Sequence, residues 1–246
     1  MSAADRLLLA LDVPDEGAAD AILARAGEGA RGVKVGQQLF TAAGPGLVRR
    51  LTASGRRVFL DLKFHDIPNT VAGATREAVK LGAAFLDLHA AGGREMMRAA
   101  VDAAGDEAAR RGVARPKLLA VTVLTSLDAP ALRATGVESS VESQVLRLAG
   151  LAREAGMDGV VASPREIAAL RKETGSDFLI VTPGIRSSSG GDDQKRTLTA
   201  REAIHAGADY LVVGRPVIAA PDPAAALAAL IAEIAAARGE TGRGAA

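Results

Sequence analysis

Short apolar runs recur along the chain, and longer stretches with helical spacing separate them. Eight of these runs are rich in Leu, Val, Ala and Phe, and most are apolar throughout rather than at every second position. Continuous apolar runs are typical of strands that are buried on both faces. The predicted strands are Leu7–Leu11, Gly32–Val35, Arg57–Leu62, Ala84–Leu88, Lys117–Val123, Gly159–Ala162, Phe178–Val181 and Tyr210–Val213.

The stretches between the strands are Ala-rich and predict helices. They include Ala18–Ala26, Val71–Leu81, Arg94–Arg111, Val141–Ala155, Arg165–Glu173 and Pro223–Ala237. A strand that reaches the next strand through a helix implies parallel pairing with right-handed crossovers. Eight such units predict an α/β fold, a single (β/α)8 TIM barrel. The alternative is an open doubly wound sheet, but no GxGxxG follows the first strand.

Length and composition narrow the class of protein further. The 246 residues suit one barrel, so residues 1–238 are predicted as a single domain and residues 239–246, which lack apolar periodicity, as a flexible tail. A net charge of +1 gives no field that would recruit nucleic acid or a membrane surface, and aromatic residues for base stacking are scarce. The absence of cysteine excludes disulfides and thiolate metal sites, and it fits a cytoplasmic location.

Polar residues cluster just after the predicted strands. In a barrel the carboxyl ends of all strands lie on one face, so these residues are expected to form one site. They are Asp12, Lys34, Asp61, Lys63, Asp66, His89, Thr125, Pro183, Gly184, Arg186, Gly214 and Arg215. Two longer segments on the same face, Ser126–Ser139 and Arg186–Thr197, are predicted to be loops that close over the site.

The third strand ends in the most informative segment, DLKFHDIPNT, residues 61–70. Strand alternation places Asp61 and Lys63 on the same side, and Asp66 follows in the loop. A carboxylate and an ammonium group inside a barrel are costly, which favours a catalytic cluster, although an ion-pair network that only braces the barrel is the alternative. Asp12 and Lys34 add a second acid and a second base from two other strands.

The seventh and eighth strands lead into TPGIR and VVGRP, residues 182–186 and 212–216. Barrels often bind phosphate at this position. Gly184 and Gly214 allow backbone N–H groups to approach an anion, and the arginines at 186 and 215 can bind phosphate oxygens in a bidentate manner. A phosphorylated substrate is therefore predicted, although an ordinary turn and a solvated charge are the alternatives for each glycine and arginine taken singly.

Several of these segments, in this order, resemble the bacterial type of the orotidine 5'-phosphate decarboxylase family, whose barrel is like that of the ribulose-phosphate-binding enzymes. The resemblance covers nearly the whole chain and is most specific at IPNT, residues 67–70, since DxKxxD also occurs in related phosphate-binding barrels. The matching segments are LALD at 9–12, VKVG at 33–36, DLKFHDIPNT, LTSL at 124–127, TPGIR, Gln194 and VVGRP.

The resemblance implies an enzyme, a carboxy-lyase that converts orotidine 5'-phosphate to UMP and CO2 in the last step of de novo pyrimidine synthesis. It also implies a homodimer that uses neither a metal nor an organic cofactor. Lys63 would be the proton donor and Asp61 would lie against the departing carboxylate. Lys34, counted with these two as catalytic, and Asp12 would orient the ribose and the charged groups.

Other residues take binding roles under the same resemblance. Asp66, counted with the catalytic residues, and Thr70 would reach into the site of the neighbouring subunit. The remaining predicted substrate-binding residues are Thr125 at the pyrimidine edge, Gln194 between base and phosphate, and Pro183, Arg186, Gly214 and Arg215 around the phosphate.

Two alternatives remain for the activity. A sugar-phosphate decarboxylase or isomerase on a related barrel shares DxKxxD but recruits a divalent metal, and IPNT and Gln194 argue against it. A catalytically silent phosphate- or nucleotide-binding barrel is a second alternative, and the presence of both Lys63 and Asp61 argues against that.

Overall fold

A computed structural model describes residues 1–186 and 198–241, and within them eight parallel strands close into a barrel. The barrel strands are β1 Leu7–Ala10, β2 Gly32–Gly36, β3 Arg57–Phe64, β4 Phe85–His89, β5 Lys117–Val121, β6 Gly159–Val161, β7 Leu179–Thr182 and β10 Tyr210–Val213. Each strand pairs with its neighbour in sequence order and β10 closes the ring against β1. The predicted TIM barrel is confirmed. Two short strands, β8 Ile185–Arg186 and β9 Leu198–Thr199, pair separately outside the barrel.

Helices connect the strands and cover the outside of the barrel. They are α1 Glu16–Ala26, α2 Gln37–Ala53, α3 Pro68–Lys80, α4 Gly93–Arg111, α5 Ala129–Ala134, α6 Val141–Glu154, α7 Ile167–Thr174, α8 Ala200–Ala206, α9 Arg215–Ile218 and α10 Pro223–Thr241. None of the helices in residues 1–186 and 198–241 is long and apolar enough to cross a membrane.

Sequence periodicity missed parts of this helical layer. Helix α2 was not predicted, because Gly44 lies inside it with a φ of 69° and kinks it before Pro45. The segment Ser126–Ser139 was predicted to be a loop, which is wrong for its middle part: the Asp128 side chain accepts the Ala131 N–H and starts helix α5. Of the second predicted loop, residues 187–197 lie outside the described residues.

The final helix α10 extends to Thr241, three residues into the segment predicted as a tail, and residues 242–246 lie outside the described residues. That residues 1–238 are one domain stays a prediction. Helix α10 contacts α1 and α8, so the last helix packs against the same barrel as the first.

The barrel interior contains a small apolar cluster separate from the main core between strands and helices. Phe85 packs edge-on against Phe59 and Tyr210, with ring centroids 6.2 and 4.9 Å apart. The whole cluster is Leu8, Ala10, Phe59, Phe85, Leu119, Val181, Tyr210 and Val212. Since side chains alternate along a strand, the residues two positions later, Asp61 after Phe59 and Asp87 after Phe85, form the next layer toward the carboxyl ends of the strands. This apolar cluster is therefore the floor of a polar site.

Candidate active site

A cavity of about 310 Å³ opens at the carboxyl ends of β1, β2 and β3, directly above the apolar floor. It is lined by Asp12, Lys34, Gly36, Gln37, Gln38, Leu39, Asp61, Lys63 and Leu124. The position agrees with the usual place of active sites in this fold, the face formed by the carboxyl ends of the strands.

Acidic and basic side chains alternate along the wall of this cavity. The Lys34 ammonium lies 2.8 Å from Asp12 Oδ1 and 3.1 Å from Asp61 Oδ2. The other oxygen of Asp61 pairs with the Lys63 ammonium. The structure thus brings together Asp12, Lys34, Asp61 and Lys63, which come from three different strand ends. These four residues are called the charge array below.

Glycine at position 36 makes room for the array. A Cβ atom at Gly36 would lie 3.1 Å from the Lys34 Nζ and 3.3 Å from Asp12 Oδ1. Both distances are tighter than ordinary van der Waals contact, so a larger residue would push the Lys34–Asp12 pair aside. The conformational freedom of this glycine is not needed, but its small size is.

Burial and charge together hold the array in its ionised form. The side chains of Lys34 and Asp61 are only 10% and 11% exposed. Burial alone would raise the pKa of Asp61, but a hydrogen bond with Asp87 and the charges of Lys34 and Lys63 outweigh it and lower that pKa to about 2. Burial likewise acts to lower the pKa of Lys34, but the Asp61 and Asp12 carboxylates prevail and raise it. Both groups therefore stay charged at neutral pH.

Regular alternation of side chains along a strand does not explain how Lys63 comes to lie beside Asp61. The pairing of β3 with β4 shifts in register between Leu60 and Phe64, and Lys63 has a φ of 52°. It is the only non-glycine residue with positive φ within residues 1–186 and 198–241. Such a conformation costs on the order of 1–3 kcal/mol and is concentrated at functional sites. The prediction that Asp61 and Lys63 lie together is met by a bulge, not by a regular strand.

Asp87 is a site residue that sequence reasoning missed. It lies in the middle of β4, is fully buried, and its Oδ1 accepts the Lys63 N–H at 2.8 Å. Burial, and then the nearby Asp61 carboxylate, raise the pKa of Asp87 well above the usual value. The signal was available in FLDLH, where a lone acid interrupts a strand that should be buried on both faces.

Two histidine rings beside the array lie close together with an interplanar angle of 37°. The rings of His65 and His89 have centroids 5.3 Å apart. Burial, with smaller contributions from His65 and Lys63, lowers the pKa of His89. A neutral His89 adds no charge to the neighbourhood of Lys63 at neutral pH.

The two residues predicted to serve a neighbouring subunit, Asp66 and Thr70, are not among those that line the cavity. The stretch 65–70 is exposed in the single chain, and Ile67 is 67% exposed, unusual for an isoleucine. The Asp66 carboxylate accepts the Ile67 N–H and, within the described residues, forms no ion pair. Thr70 lies one helical turn further on, in the first turn of α3.

The predicted phosphate end of the site is described only in part. Gly214 immediately precedes the short helix α9, and a Cβ there would lie 3.8 Å from Asp12 Oδ2, so the end of β10 borders the array. Arg215 is exposed at the start of α9. Pro183 and Gly184, with a φ of 79°, form the turn after β7. Thr125 is exposed beyond β5.

Two further predicted binding residues belong to the segment after β7. Gln194 lies outside the described residues, and for Arg186 only the backbone, in β8, is described. Within the described residues, no group of three or more His, Asp or Glu side chains could hold a metal ion. The acids of the charge array are instead paired with lysines.

Comparison with known proteins gives consistent matches over nearly the whole chain. The model of the orotidine 5'-phosphate decarboxylase / HUMPS family matches residues 5–230. A protein named orotidine 5'-phosphate decarboxylase from Moorella thermoacetica is 56% identical over 236 residues, which cover 95% of this chain and 94% of the relative. Another protein of that name, from Geobacter sulfurreducens, is 57% identical over 202 residues, 82% of this chain and 84% of the relative.

A solved structure is also similar over nearly the whole chain. The crystal structure of orotidine 5'-phosphate decarboxylase from Lactobacillus acidophilus superimposes with a TM-score of 0.84 at 40% sequence identity. The superposition covers 93% of this chain and 98% of that one. The likeness therefore extends over nearly the whole chain.

Replacing Lys34 tests whether the array is desolvated. Lys34→Met keeps the volume but leaves Asp61 with one ammonium partner, so we expect a loss of about 3 kcal/mol in the free energy of unfolding at pH 7. Arg50→Met, which breaks a half-exposed pair with Glu16 and Asp20, should cost at most about 1 kcal/mol. Urea unfolding of both variants measures the difference.

The pH dependence of the Lys34→Met loss provides a second check. Because the folded-state pKa of Asp61 is depressed, its contribution to stability is present above the unfolded pKa of about 3.9 and lost as the pH falls toward about 2. The deficit of Lys34→Met should shrink over that window. Equal losses for the Lys34 and Arg50 variants at pH 7 would contradict a desolvated array.

Proposed function

This chain belongs to the orotidine 5'-phosphate decarboxylase / HUMPS family, and we propose that it decarboxylates orotidine 5'-phosphate to UMP and CO2. This reaction is the last step of de novo pyrimidine synthesis. The observation that carries the proposal is the charge array, in which Lys63 and Lys34 flank the buried Asp61 at the mouth of the barrel. Relatives with more than half of their residues identical carry the name of this enzyme.

Loss of CO2 from a pyrimidine ring carbon leaves an electron pair in the plane of the ring, where no neighbouring π system delocalises it. Catalysis of such a step depends on positive charge placed where the negative charge develops. We assign this role to the Lys63 ammonium. As the bond to the carboxyl carbon breaks, the electron pair stays on the ring carbon and takes a proton from Lys63 Nζ, and solvent then reprotonates the amine.

Asp61 has two roles in this scheme. It pairs with both lysine ammonium groups, which directs them toward the cavity. Its own negative charge lies against the substrate carboxylate and disfavours the bound ground state relative to the transition state, in which that carboxylate becomes neutral CO2. A pKa of about 2 keeps Asp61 ionised at neutral pH, which both roles require.

The remaining part of the substrate binds across the face of the barrel. Asp12 and Lys34 hold the ribose, and Thr125 contacts the pyrimidine edge. Gly214 and Arg215 bind the phosphate together with Pro183, Arg186 and Gln194. The position of Gly214 supports this layout: a Cβ at this glycine would lie 3.8 Å from Asp12 Oδ2, so the ribose and phosphate regions are side by side. Phosphate binding at 186–197 would close the site and raise turnover from a distance.

A second copy of the chain completes the site in this proposal. Asp66 and Thr70 enter the cavity of the partner subunit, and the exposed Ile67 between them is covered in the dimer interface. The exposure of the whole 65–70 stretch beside Lys63 supports this arrangement. We expect the enzyme to work in the cytoplasm without a metal or organic cofactor, since the two lysines supply the positive charge.

Lys63→Ala should abolish turnover. We expect the rate to fall by at least about 10³-fold, because the proton donor and the main positive charge at the ring carbon are both lost. The assay follows the ultraviolet absorbance of orotidine 5'-phosphate in the presence of EDTA. Lys80→Ala, which removes a surface lysine paired with Glu77, is the matched control and should retain full activity.

The same assay separates the proposal from its rivals. Substantial residual turnover by folded Lys63→Ala would refute the assigned role. No turnover by the unmutated, folded dimer in EDTA, with turnover of a sugar phosphate upon addition of a divalent metal, would favour the metal-dependent enzyme instead.

Mixed dimers test the shared site. Lys63→Ala and Asp66→Ala chains should each be inactive alone, but a mixed dimer contains one site in which both residues are intact. After subunit exchange at equal concentrations we expect about a quarter of the activity of the unmutated protein. Absence of recovery, with exchange verified by native mass spectrometry, would contradict the contribution of Asp66 across the interface.

A further inference from the structure

Asp87 is buried in the barrel lumen and has no place in the scheme above. It lies two residues after Phe85 of the apolar floor and is fully inaccessible to solvent. Its Oδ1 accepts the Lys63 N–H. Its Oδ2 is buried, 4.0 Å from the Lys63 ammonium, and receives no N–H or O–H donor from the described residues. A buried carboxyl with one open oxygen needs an explanation.

The contact with the Lys63 N–H holds an unusual backbone. Where β3 shifts register against β4, this N–H leaves the regular ladder, and the left-handed φ of Lys63 aims it at Asp87. Oδ1 at 2.8 Å is the acceptor that replaces the ladder partner. The same backbone turn determines where the Lys63 side chain starts, so Asp87 acts on the direction of the ammonium group.

The second contact of Asp87 is with Asp61. The two carboxyl groups are close enough to form a hydrogen bond once one of them holds a proton. Asp61 already pairs with two ammonium groups, whereas Asp87 lies deeper and faces Lys63 only at a distance. Alongside Asp87, β5 contributes the apolar Leu119, so Asp61 and Lys63 are the charged groups that face it. The proton therefore belongs on Asp87.

We propose that Asp87 is a positioning residue that works as a neutral acid: it accepts the Lys63 N–H and donates its own proton to Asp61. This inference rests on the proposed function, since the groups it positions are the proposed proton donor and its partner. With Asp87 neutral, the array contains two carboxylates and two ammonium groups. An ionised Asp87 would add a third carboxylate and draw the Lys63 ammonium down into the barrel, away from the substrate.

Two substitutions separate this role from a charged one. Asp87→Asn keeps an oxygen that accepts the Lys63 N–H and offers an amide N–H to Asp61, so it imitates the neutral acid. Asp87→Ala removes both contacts. We expect the Asn variant to retain kcat within about threefold, and the Ala variant to lose about 10²-fold in kcat with little change in UMP affinity, because the reacting group is displaced while the binding residues remain.

The dependence of stability on pH is a measurement that does not require turnover. An acid whose folded-state pKa is raised contributes stability fully below its unfolded pKa of about 3.9, and this contribution is lost as the pH rises toward the folded pKa. Asp87→Asn has no titratable group at this position, so it does not lose stability in this way. Its Tm relative to the unmutated protein should therefore increase as the pH rises above the unfolded-state pKa of about 3.9. Asp102→Asn, on the exposed side of α4, controls for the removal of one carboxylate.

The kcat values test the positioning role of Asp87, and the Tm series tests its neutral state. Equal losses of kcat in Asp87→Asn and Asp87→Ala, or full activity of Asp87→Ala, would overturn the positioning role. A Tm difference for Asp87→Asn that does not change with pH, or only follows that of Asp102→Asn, would overturn the neutral state even if the Ala variant does not fold. If the unmutated enzyme fails to convert orotidine 5'-phosphate, the proposed function fails, and the Tm series still tests the protonation of Asp87.

Discussion

The Asp61 carboxylate, held between the ammonium groups of Lys34 and Lys63 above an apolar floor, is the interaction on which the site depends. In water such pairs contribute little, but the side chains of Lys34 and Asp61 are only about one-tenth exposed, so their attraction is strong and the cost of removing a partner is high. The apolar cluster below, with Phe59, Phe85 and Tyr210 in contact, keeps water from reaching the array from inside the barrel. The fold itself therefore fixes the positions of these charges, which is what electrostatic catalysis requires.

The positions of the charged groups follow from the alternation of side chains along the strands, with one exception at Lys63. Regular alternation puts Asp61 above Phe59 and Asp87 above Phe85, so both carboxyls point inward at the same height. Lys63 would continue that series, but a bulge and a left-handed φ turn it back toward Asp61. The backbone strain is confined to Lys63, and the hydrogen bond from the Lys63 N–H to Asp87 compensates part of it. A functional group is thus directed by a departure from the regular strand.

Much of this could be predicted from the sequence, because apolar runs and helical spacing are strong signals when a barrel repeats them eight times. The convergence of Asp12, Lys34, Asp61 and Lys63 follows from their common position at strand ends. Helix α2 was missed because its glycine and proline break the periodicity, and α5 because its start depends on a cap at Asp128. Asp87 was missed because it lies inside a strand, not after one. The conformation of Lys63 depends on pairing with β4, which no local pattern encodes.

A crystal structure of the dimer with UMP bound would show directly whether Lys63 is the proton donor, through the distance from Lys63 Nζ to the ring carbon that carried the carboxyl group. We expect a separation of about 3–3.5 Å, with Asp61 still bound to both lysines and Asp66 of the partner subunit in the same cavity. A Lys63 ammonium that points away from the ring, or a metal ion between the lysine and the nucleotide, would contradict this role.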